Sequence, residues 1–332
     1  LCRQKRFHEA LEKCRYTSLD DEEEYSIDVI QPEKIEFKQN SYEDGENSII
    51  SFPEFLLLVL DVCTGGEQPA SHYQPDKLIE KFDALKTYFT AGEFYEKMLY
   101  YRLLLDYYTI RRDIKDGQGN YSLILKGPKD DSDKLKQYQS MLYVSTEAFY
   151  NWLKPYLRKL EQDELHSCAE MLAFLKKEDN ERHSILPARK DLSYKASGNI
   201  RYWFWRLDYY LWEQRSTFFN EEEQKIVEHY VFRRNRSIEH LHPQDESHNE
   251  EWEEEAVHSF GNLAMISQSF NSQQSNDHIQ IKFARIHEQI SNKSLQSIKM
   301  FLMCKLADFN YLNWTMKLTK EHENEMIEFL ER

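Results

Sequence analysis

The sequence has few cysteines, and no two of them lie close together. They are Cys2, Cys14, Cys63, Cys168 and Cys304. An odd, scattered set does not predict a disulfide framework, and it excludes a zinc site made of paired thiolates. We therefore expect a cytoplasmic protein in a reducing compartment. Any metal ion would then be bound through nitrogen and oxygen atoms.

Glycine, proline and long apolar runs are also scarce. The chain of 332 residues has nine Gly and eight Pro, which argues against a β-sandwich or a low-complexity chain. The best candidate for an apolar span, residues 55–62, is much shorter than the ~20 residues that cross a bilayer. No signal-peptide pattern follows Leu1. These absences predict a soluble protein.

A surplus of positive charge is missing as well. The formal net charge is −15 at pH 7, the opposite of what a protein needs to bind nucleic acid mainly by releasing counterions. The charge is unevenly distributed, however, because an acidic run at 250–255 lies between two groups of basic residues. These basic residues are Arg233, Arg234, Arg236, Lys282 and Arg285. The negative charge therefore weakens the hypothesis of nucleic-acid binding without excluding it.

Apolar residues recur at helical spacing through most of the chain. The pattern predicts a helix that starts near Ser51, packed helices between residues 75 and 114, and two further amphipathic sets between 142 and 175. Short strands are predicted at 25–30 and 121–125, the second as one arm of a hairpin.

These elements predict a mainly α fold. We expect a connector at 1–48, a helical domain at 49–215, and a small α+β domain at 216–332. The C-terminal segments 294–309 and 321–330 are predicted as helices that cover the second domain, and the alternative is that they dock a partner helix.

The most aromatic segment, residues 199–214, has two interpretations. Its Trp and Tyr residues are interleaved with Arg201 and Arg206. A helix buried between two domains explains this pattern, because the polar tips of Trp and Tyr form hydrogen bonds inside a core. The alternative is a platform on which nucleic-acid bases stack.

One linked set of residues in the second domain indicates chemistry. The sequence Glu239-His240-x-x-Pro243 is followed by Gly-Asn-Leu, whose asparagine is Asn262, and nine residues later by Asn271. A neutral histidine can deprotonate water. A carboxylate and an amide carbonyl are the hard oxygen ligands that Mg²⁺ and Mn²⁺ prefer. The set therefore predicts metal-dependent hydrolysis of a phosphodiester.

The order of these residues also predicts a local structure. Neighbouring side chains on a strand face opposite ways, so Glu239 and His240 can serve one site only where a strand ends or bends. We expect Asn262 to bind the loop backbone and thereby hold the imidazole. A helix that starts near Ser267 would present Asn271 to the metal ion.

This linked set resembles the HNH, or ββα-metal, nuclease superfamily. Within that superfamily, Ile-Glu-His-x-x-Pro-Gln, Gly-Asn-Leu, and Asn followed by Ser-Asn and Lys resemble the C-terminal nuclease domain of GmrSD-type modification-dependent restriction proteins. The resemblance implies an endonuclease of bacterial restriction or phage defence that cleaves DNA, including modified DNA, with Mg²⁺ or Mn²⁺.

The resemblance also implies a role for each residue. His240 takes the general-base position and Asn262 the loop-fixing position, while Glu239 and Asn271 take the metal positions, either directly or, for Glu239, through a water molecule. The predicted DNA contacts are Arg233, Arg234, Arg236, Asn276 and Lys282.

The middle of the chain is more faintly similar to the helical region of the same proteins, at 50–56 and 202–209. Their N-terminal nucleotide-binding motif has no counterpart here, since Asp116-Gly117-Gln118-Gly119 lacks its arginine and precedes a predicted strand. With Leu1 as the first residue, we expect that domain elsewhere in the full-length protein or in a partner chain.

Three alternatives to an active nuclease stay open. One is a catalytically silent HNH-like module that binds DNA or a protein partner, and another is a helical interaction protein. The third is a zinc site formed by His242, His248 and His258, although their spacing is irregular.

Overall fold

A computed structural model describes residues 45–114, 121–128, 132–145, 147–196, 200–233, 236–244, 252–267 and 279–331. Contacts divide the chain into two compact units. The first comprises Leu1–Pro128 and Lys154–His166, and the second comprises Lys129–Leu153 and Ser167–Arg332. Within the described ranges, every helix is too short or too polar to cross a membrane. The three domains predicted from the sequence, at 1–48, 49–215 and 216–332, stay predictions.

The helices of the first unit begin where local signals place them. They are α1 (Phe52–Cys63), α2 (Leu78–Leu85) and α3 (Ala91–Tyr108). At the start of α1, the Ser51 hydroxyl accepts from the Glu54 amide and the Glu54 carboxylate accepts from the Ser51 amide. Thr90 and Glu93 form the same reciprocal capping box at the start of α3. Each box pairs amides that a helix end otherwise leaves without partners.

A three-stranded antiparallel sheet completes the first unit. Its strands are β1 (Gly45–Ser48), β2 (Ile110–Ile114) and β3 (Tyr121–Leu125), in the order β1-β2-β3. The prediction of helix as far as residue 114 is wrong at its end, because pairing with strands on both sides makes 110–114 a strand. The predicted hairpin arm at 121–125 is confirmed. The predicted turn at 116–119 and strand at 25–30 lie outside the described residues.

Helices dominate the rest of the chain, as the sequence predicts. They are α4 (Ser132–Val144), α5 (Phe149–Glu161), α6 (Cys168–Arg182), α7 (Ile200–Glu213), α8 (Arg215–Phe218) and α9 (Glu221–Glu228). A mainly α fold with a small α+β region is confirmed.

The aromatic helix α7 lies in the core of the second unit. Trp203, Trp205 and Trp212 are each at most 5% exposed. Asp208, also on α7, accepts hydrogen bonds from the Tyr230 hydroxyl at 3.0 Å and from the Lys299 amide at 2.9 Å. The interpretation of this segment as a buried helix is confirmed. Its rings are covered by protein and do not form an open platform for bases.

The α+β region is built on a pair of antiparallel strands. They are β4 (Arg236–His240) and β5 (Leu263–Ser267), and they are connected through the short helix α10 (Glu254–Val257) and a 3₁₀ turn at Phe260–Asn262. Ser267 is the last residue of β5, and the helix predicted to start near it would lie outside the described residues. The next described helix is α11 (Ile279–Ser291).

Two C-terminal helices pack on this region. They are α12 (Ile298–Leu306), which contacts β5, and α13 (Met316–Glu331), which contacts the 3₁₀ turn. Most of α12 is buried, including Phe301 and Met303 at 0% exposure. The prediction that the C-terminal helices cover the second domain is therefore confirmed.

A charged histidine stabilises the second unit near the C-terminal end of α6. The His183 ring lies 3.0 Å from the Glu147 carboxylate and 3.1 Å from that of Asp179, and it stacks on Tyr202. Burial alone lowers its pKa, but the hydrogen bonds and charges of Asp179 and Glu147 outweigh burial and raise the pKa to about 9.

This histidine makes the stability of the unit depend on pH. Because the folded pKa is about 9 and the ordinary value is 6.5, the stabilisation is complete below pH 6.5 and is lost as the pH rises through 9. We expect His183→Gln to lower the melting temperature clearly at pH 6 and only slightly above pH 9. Thermal melts of both proteins across this range test the expectation. A difference in melting temperature that stays constant with pH would contradict it.

Candidate active site

The candidate site lies where β4 ends and β5 begins. His240 is the last residue of β4 and is paired with Leu263, the first residue of β5. The next amide, that of Leu241, donates to the Asn262 carbonyl at 2.9 Å. Strand pairing therefore brings the Glu-His and Gly-Asn-Leu motifs together, although they are more than twenty residues apart in sequence.

Asn262 holds the chain that leaves β4. Its side-chain oxygen accepts from the His242 amide at 2.8 Å and from the Trp314 indole at 3.2 Å. Its side-chain nitrogen donates to the carbonyls of His242 at 2.9 Å and Val257 at 2.8 Å. Asn262 is fully buried. A single amide thus connects the loop after His240 to α10, in the position that the sequence predicts.

Gly261 allows the motif to pack against α13. A Cβ atom at this position would lie 2.3 Å from the Thr319 carbonyl oxygen and 2.9 Å from Cβ of Glu323. Both obstacles are close to the helix backbone and cannot easily move, so only glycine fits here. In the Gly-Asn-Leu sequence, the glycine therefore lets the chain pack closely against α13, and the asparagine that follows binds the loop after His240.

A buried lysine supports the same turn from behind. The Lys299 ammonium donates to the carbonyls of Phe260 and Leu263, the two residues that flank Gly261-Asn262. Complete burial lowers the pKa of Lys299 to about 7, partly offset by the charges of Glu323 and Asp208. The turn that carries Asn262 is thus held from both faces.

Both ring nitrogens of His240 have partners. Nε2 lies 3.0 Å from Nδ1 of His258, and Nδ1 lies 3.0 Å from Nε2 of Gln244. The ring of Tyr194 approaches edge-on, with its centroid 4.5 Å from that of His240. Burial, together with the smaller effects of the charges of His258, Lys282 and His242, lowers the pKa of His240 to about 3. His240 is therefore neutral at neutral pH, as a general base must be.

Glu239 faces away from this ring and forms a buried ion pair. Its carboxylate lies 2.5 Å from the Lys282 ammonium, which also donates to the His240 carbonyl at 2.6 Å. The side chains of Lys282 and Glu239 are 3% and 7% exposed. Lys282 thereby connects the end of β4 to α11, the next described helix after β5. The predicted phosphate contact of Lys282 stays a prediction, and here its ammonium contacts the Glu239 carboxylate and the His240 carbonyl.

The other predicted site residues are only partly described. Asn271, Asn276 and Arg234 lie outside the described residues, and so does His248 of the zinc alternative. Arg236 is described by its backbone in β4, whereas Arg233 is an exposed residue just before that strand.

The described residues contain no group of three or more His, Cys, Asp or Glu side chains placed to hold a metal ion. For the zinc alternative, His242 stacks on Trp252 with ring centroids 3.9 Å apart, while His258 points to His240. The donors at the predicted metal positions are oxygen atoms, which suit Mg²⁺ or Mn²⁺ with water and phosphate as further ligands. Glu239 supplies one such donor among the described residues.

Sequence reasoning missed three residues around His240. Tyr194 and Lys299 carried no local signal, and His258 was noted only as part of the zinc alternative. Each reaches the site through the tertiary fold, and Tyr194 does so from a loop that precedes α7. Their distance from the motifs along the chain explains why no local pattern predicts them.

The fold and this cluster define a mainly α protein with a histidine site at the end of a small strand pair. Residues 176–329 match the model of a family described as GmrSD restriction endonucleases, C-terminal domain. The match covers a little less than half of the chain and includes both strands and the helices around them. Neither the curated proteins nor the solved structures contain a match to the chain. The C-terminal half is thus similar to a restriction-endonuclease domain.

Proposed function

We propose that this chain is a metal-dependent DNA endonuclease of the HNH type, acting in bacterial restriction or phage defence. The observation that carries the proposal is the pairing of β4 with β5. This pairing places the neutral His240 beside the loop that Asn262 binds, inside the segment similar to restriction endonucleases.

His240 acts as the general base in this proposal. Since burial keeps its imidazole neutral, one ring nitrogen can accept the proton of the attacking water. Asn262 keeps the loop after His240 in place, because its side chain binds both the amide and the carbonyl of His242 and is itself held by Val257 and Trp314. A base held in this way needs little rearrangement before it reacts.

Glu239 and Asn271 are the residues that would hold Mg²⁺ or Mn²⁺. A bound divalent cation would stabilise the negative charge that develops on the phosphate and the leaving oxygen. The Lys282 ammonium, 2.5 Å from the buried Glu239 carboxylate, balances its negative charge. A divalent cation held by Glu239, directly or through water, would be a second cation beside the same carboxylate.

DNA is the proposed substrate, although the chain has a net charge of −15. We propose Arg233, Arg234, Arg236 and Asn276 as DNA contacts, with Lys282 as a further candidate. Since the negative net charge opposes binding to phosphate, a separate nucleotide-binding domain or partner chain would deliver the substrate. The protein would act in the cytoplasm, where bacterial restriction operates.

The direct test is cleavage of supercoiled plasmid by the purified chain. We expect nicking with Mg²⁺ or Mn²⁺ and none with EDTA, on modified or unmodified plasmid. Cleavage that persists in EDTA would contradict the proposed metal dependence. If the chain cleaves neither plasmid although its melting temperature shows that it is folded, the alternative of a silent HNH-like module is favoured.

A further inference from the structure

His258 lies against His240, outside the motifs that suggest a nuclease. Its Nδ1 atom is 3.0 Å from Nε2 of His240, and the two rings are nearly perpendicular. The distance is that of a hydrogen bond, so one ring donates and the other accepts. The side-chain nitrogen of Gln244, which can only donate, faces Nδ1 of His240, so the hydrogen of His240 lies on Nε2 and points to His258.

The two partners of His240 differ in how firmly they are held. Gln244 is an exposed residue beyond the end of β4, so solvent can take its place. His258 is half-buried and follows α10 directly, where its amide donates to the Glu254 carbonyl at 3.1 Å. Its carbonyl accepts from the Tyr194 amide at 3.0 Å. His258 is therefore the fixed partner, and Gln244 is the replaceable one.

The ring of His258 is fixed as well. Tyr194 lies almost parallel to it, with an interplanar angle of 14° and a centroid distance of 5.7 Å. The same Tyr194 ring meets His240 edge-on. The backbone of α10 is in turn bound to Asn262 through the Val257 carbonyl. Asn262, α10 and Tyr194 are thus connected, and together they hold both the loop after His240 and the His258 ring.

We propose that His258 is a positioning residue of the site, which holds His240 in the tautomer with hydrogen on Nε2. His258 Nδ1 then accepts that hydrogen, and Nδ1 of His240 keeps its lone pair for the attacking water on the side now occupied by Gln244. A third group commonly orients a catalytic base in this way. The catalytic role of His258 rests on the proposed nuclease function. Its effect on the tautomer of His240 does not depend on that function.

The tautomer can be measured without any nuclease activity. The chain has 12 histidines, so ¹⁵N labelling of histidine alone gives a spectrum that can be assigned, with His240 identified by its loss in His240→Gln. We expect long-range ¹H–¹⁵N correlations to show His240 with hydrogen on Nε2. In His258→Leu we expect a mixture of tautomers, whereas His258→Asn should preserve one form, because its amide reaches the same position as Nδ1.

Cleavage kinetics provide the second measurement. We expect His258→Leu to lower kcat by about 10- to 100-fold with little change in KM, and His258→Asn to recover most of the loss. His166→Leu, an exposed histidine of the first unit, is the matched control and should cleave normally. Melting temperatures of all variants show whether a loss of activity reflects unfolding.

Two results would overturn the proposal. One is a spectrum in which the unchanged chain carries hydrogen on Nδ1 of His240. The other is an equal effect of the Leu and Asn variants on both the tautomer and kcat, which would indicate packing alone. If the unchanged chain cleaves no plasmid, the proposed function fails, and the spectrum still decides whether His258 sets the tautomer.

Discussion

Replacing His240 with alanine is expected to lower the rate of metal-dependent plasmid cleavage by about 100- to 10,000-fold, the contribution typical of a general base. The imidazole is the group that the strand pair, Asn262 and His258 together hold in place. Because it is neutral at neutral pH, its removal takes away a base that is fully available. The measurement is the initial rate of nicking with saturating Mg²⁺ or Mn²⁺.

The control for this prediction is His166→Ala, which removes an exposed imidazole far along the sequence from the motif. It should cleave at the unchanged rate. A melting temperature of His240→Ala close to that of the unchanged chain would separate lost chemistry from lost structure. If His240→Ala is folded and cleaves as fast as the unchanged chain, His240 is not the base.

Asn262→Leu is expected to reduce both stability and cleavage. The leucine leaves the His242 amide, the Trp314 indole and two carbonyls without their buried partner. An unpaired buried group costs about 1–3 kcal/mol, so we expect a loss of at least about 3 kcal/mol in the free energy of unfolding. Cleavage should fall as well, because the loop after His240 is no longer held. Urea unfolding and plasmid nicking measure the two effects.

Asn313→Leu is the matched control for this second prediction. Asn313 is exposed, and its side chain donates to the Ala307 carbonyl at 3.1 Å. Its replacement should shift the urea midpoint only slightly. Equal shifts for the two variants would show that the buried contacts of Asn262 contribute no more than a surface hydrogen bond, and would remove Asn262 from the group that holds the site.

Much of the second unit follows from local patterns in the sequence. The Glu-His pair occurs where a strand ends, as the sequence predicts, although Glu239 faces away from the His240 ring and pairs with Lys282. Asn262 binds the backbone that the sequence assigns to it. In the first unit, the helix start near Ser51 also follows from the local sequence, because the capping box of Ser51 and Glu54 acts over three residues.

Other features were wrongly predicted or missed, and each depends on contacts between distant segments. Residues 110–114 have an apolar pattern that suits a helix, but the strands on both sides pair with them. The free energy of these tertiary hydrogen bonds outweighs a local preference, which is small for a few residues.

The sequence by itself determined the mainly α architecture and the helix starts, because periodicity and capping act between near neighbours. Pairing of β4 with β5 brought the Glu-His and Gly-Asn-Leu motifs together. Tertiary structure alone decided the surroundings of the site. Lys282 reaches the His240 carbonyl across 42 residues of sequence, and His258 reaches the imidazole across 18. Burial then determines the chemistry of these groups, since it pairs the Lys282 ammonium with Glu239 and keeps His240 neutral.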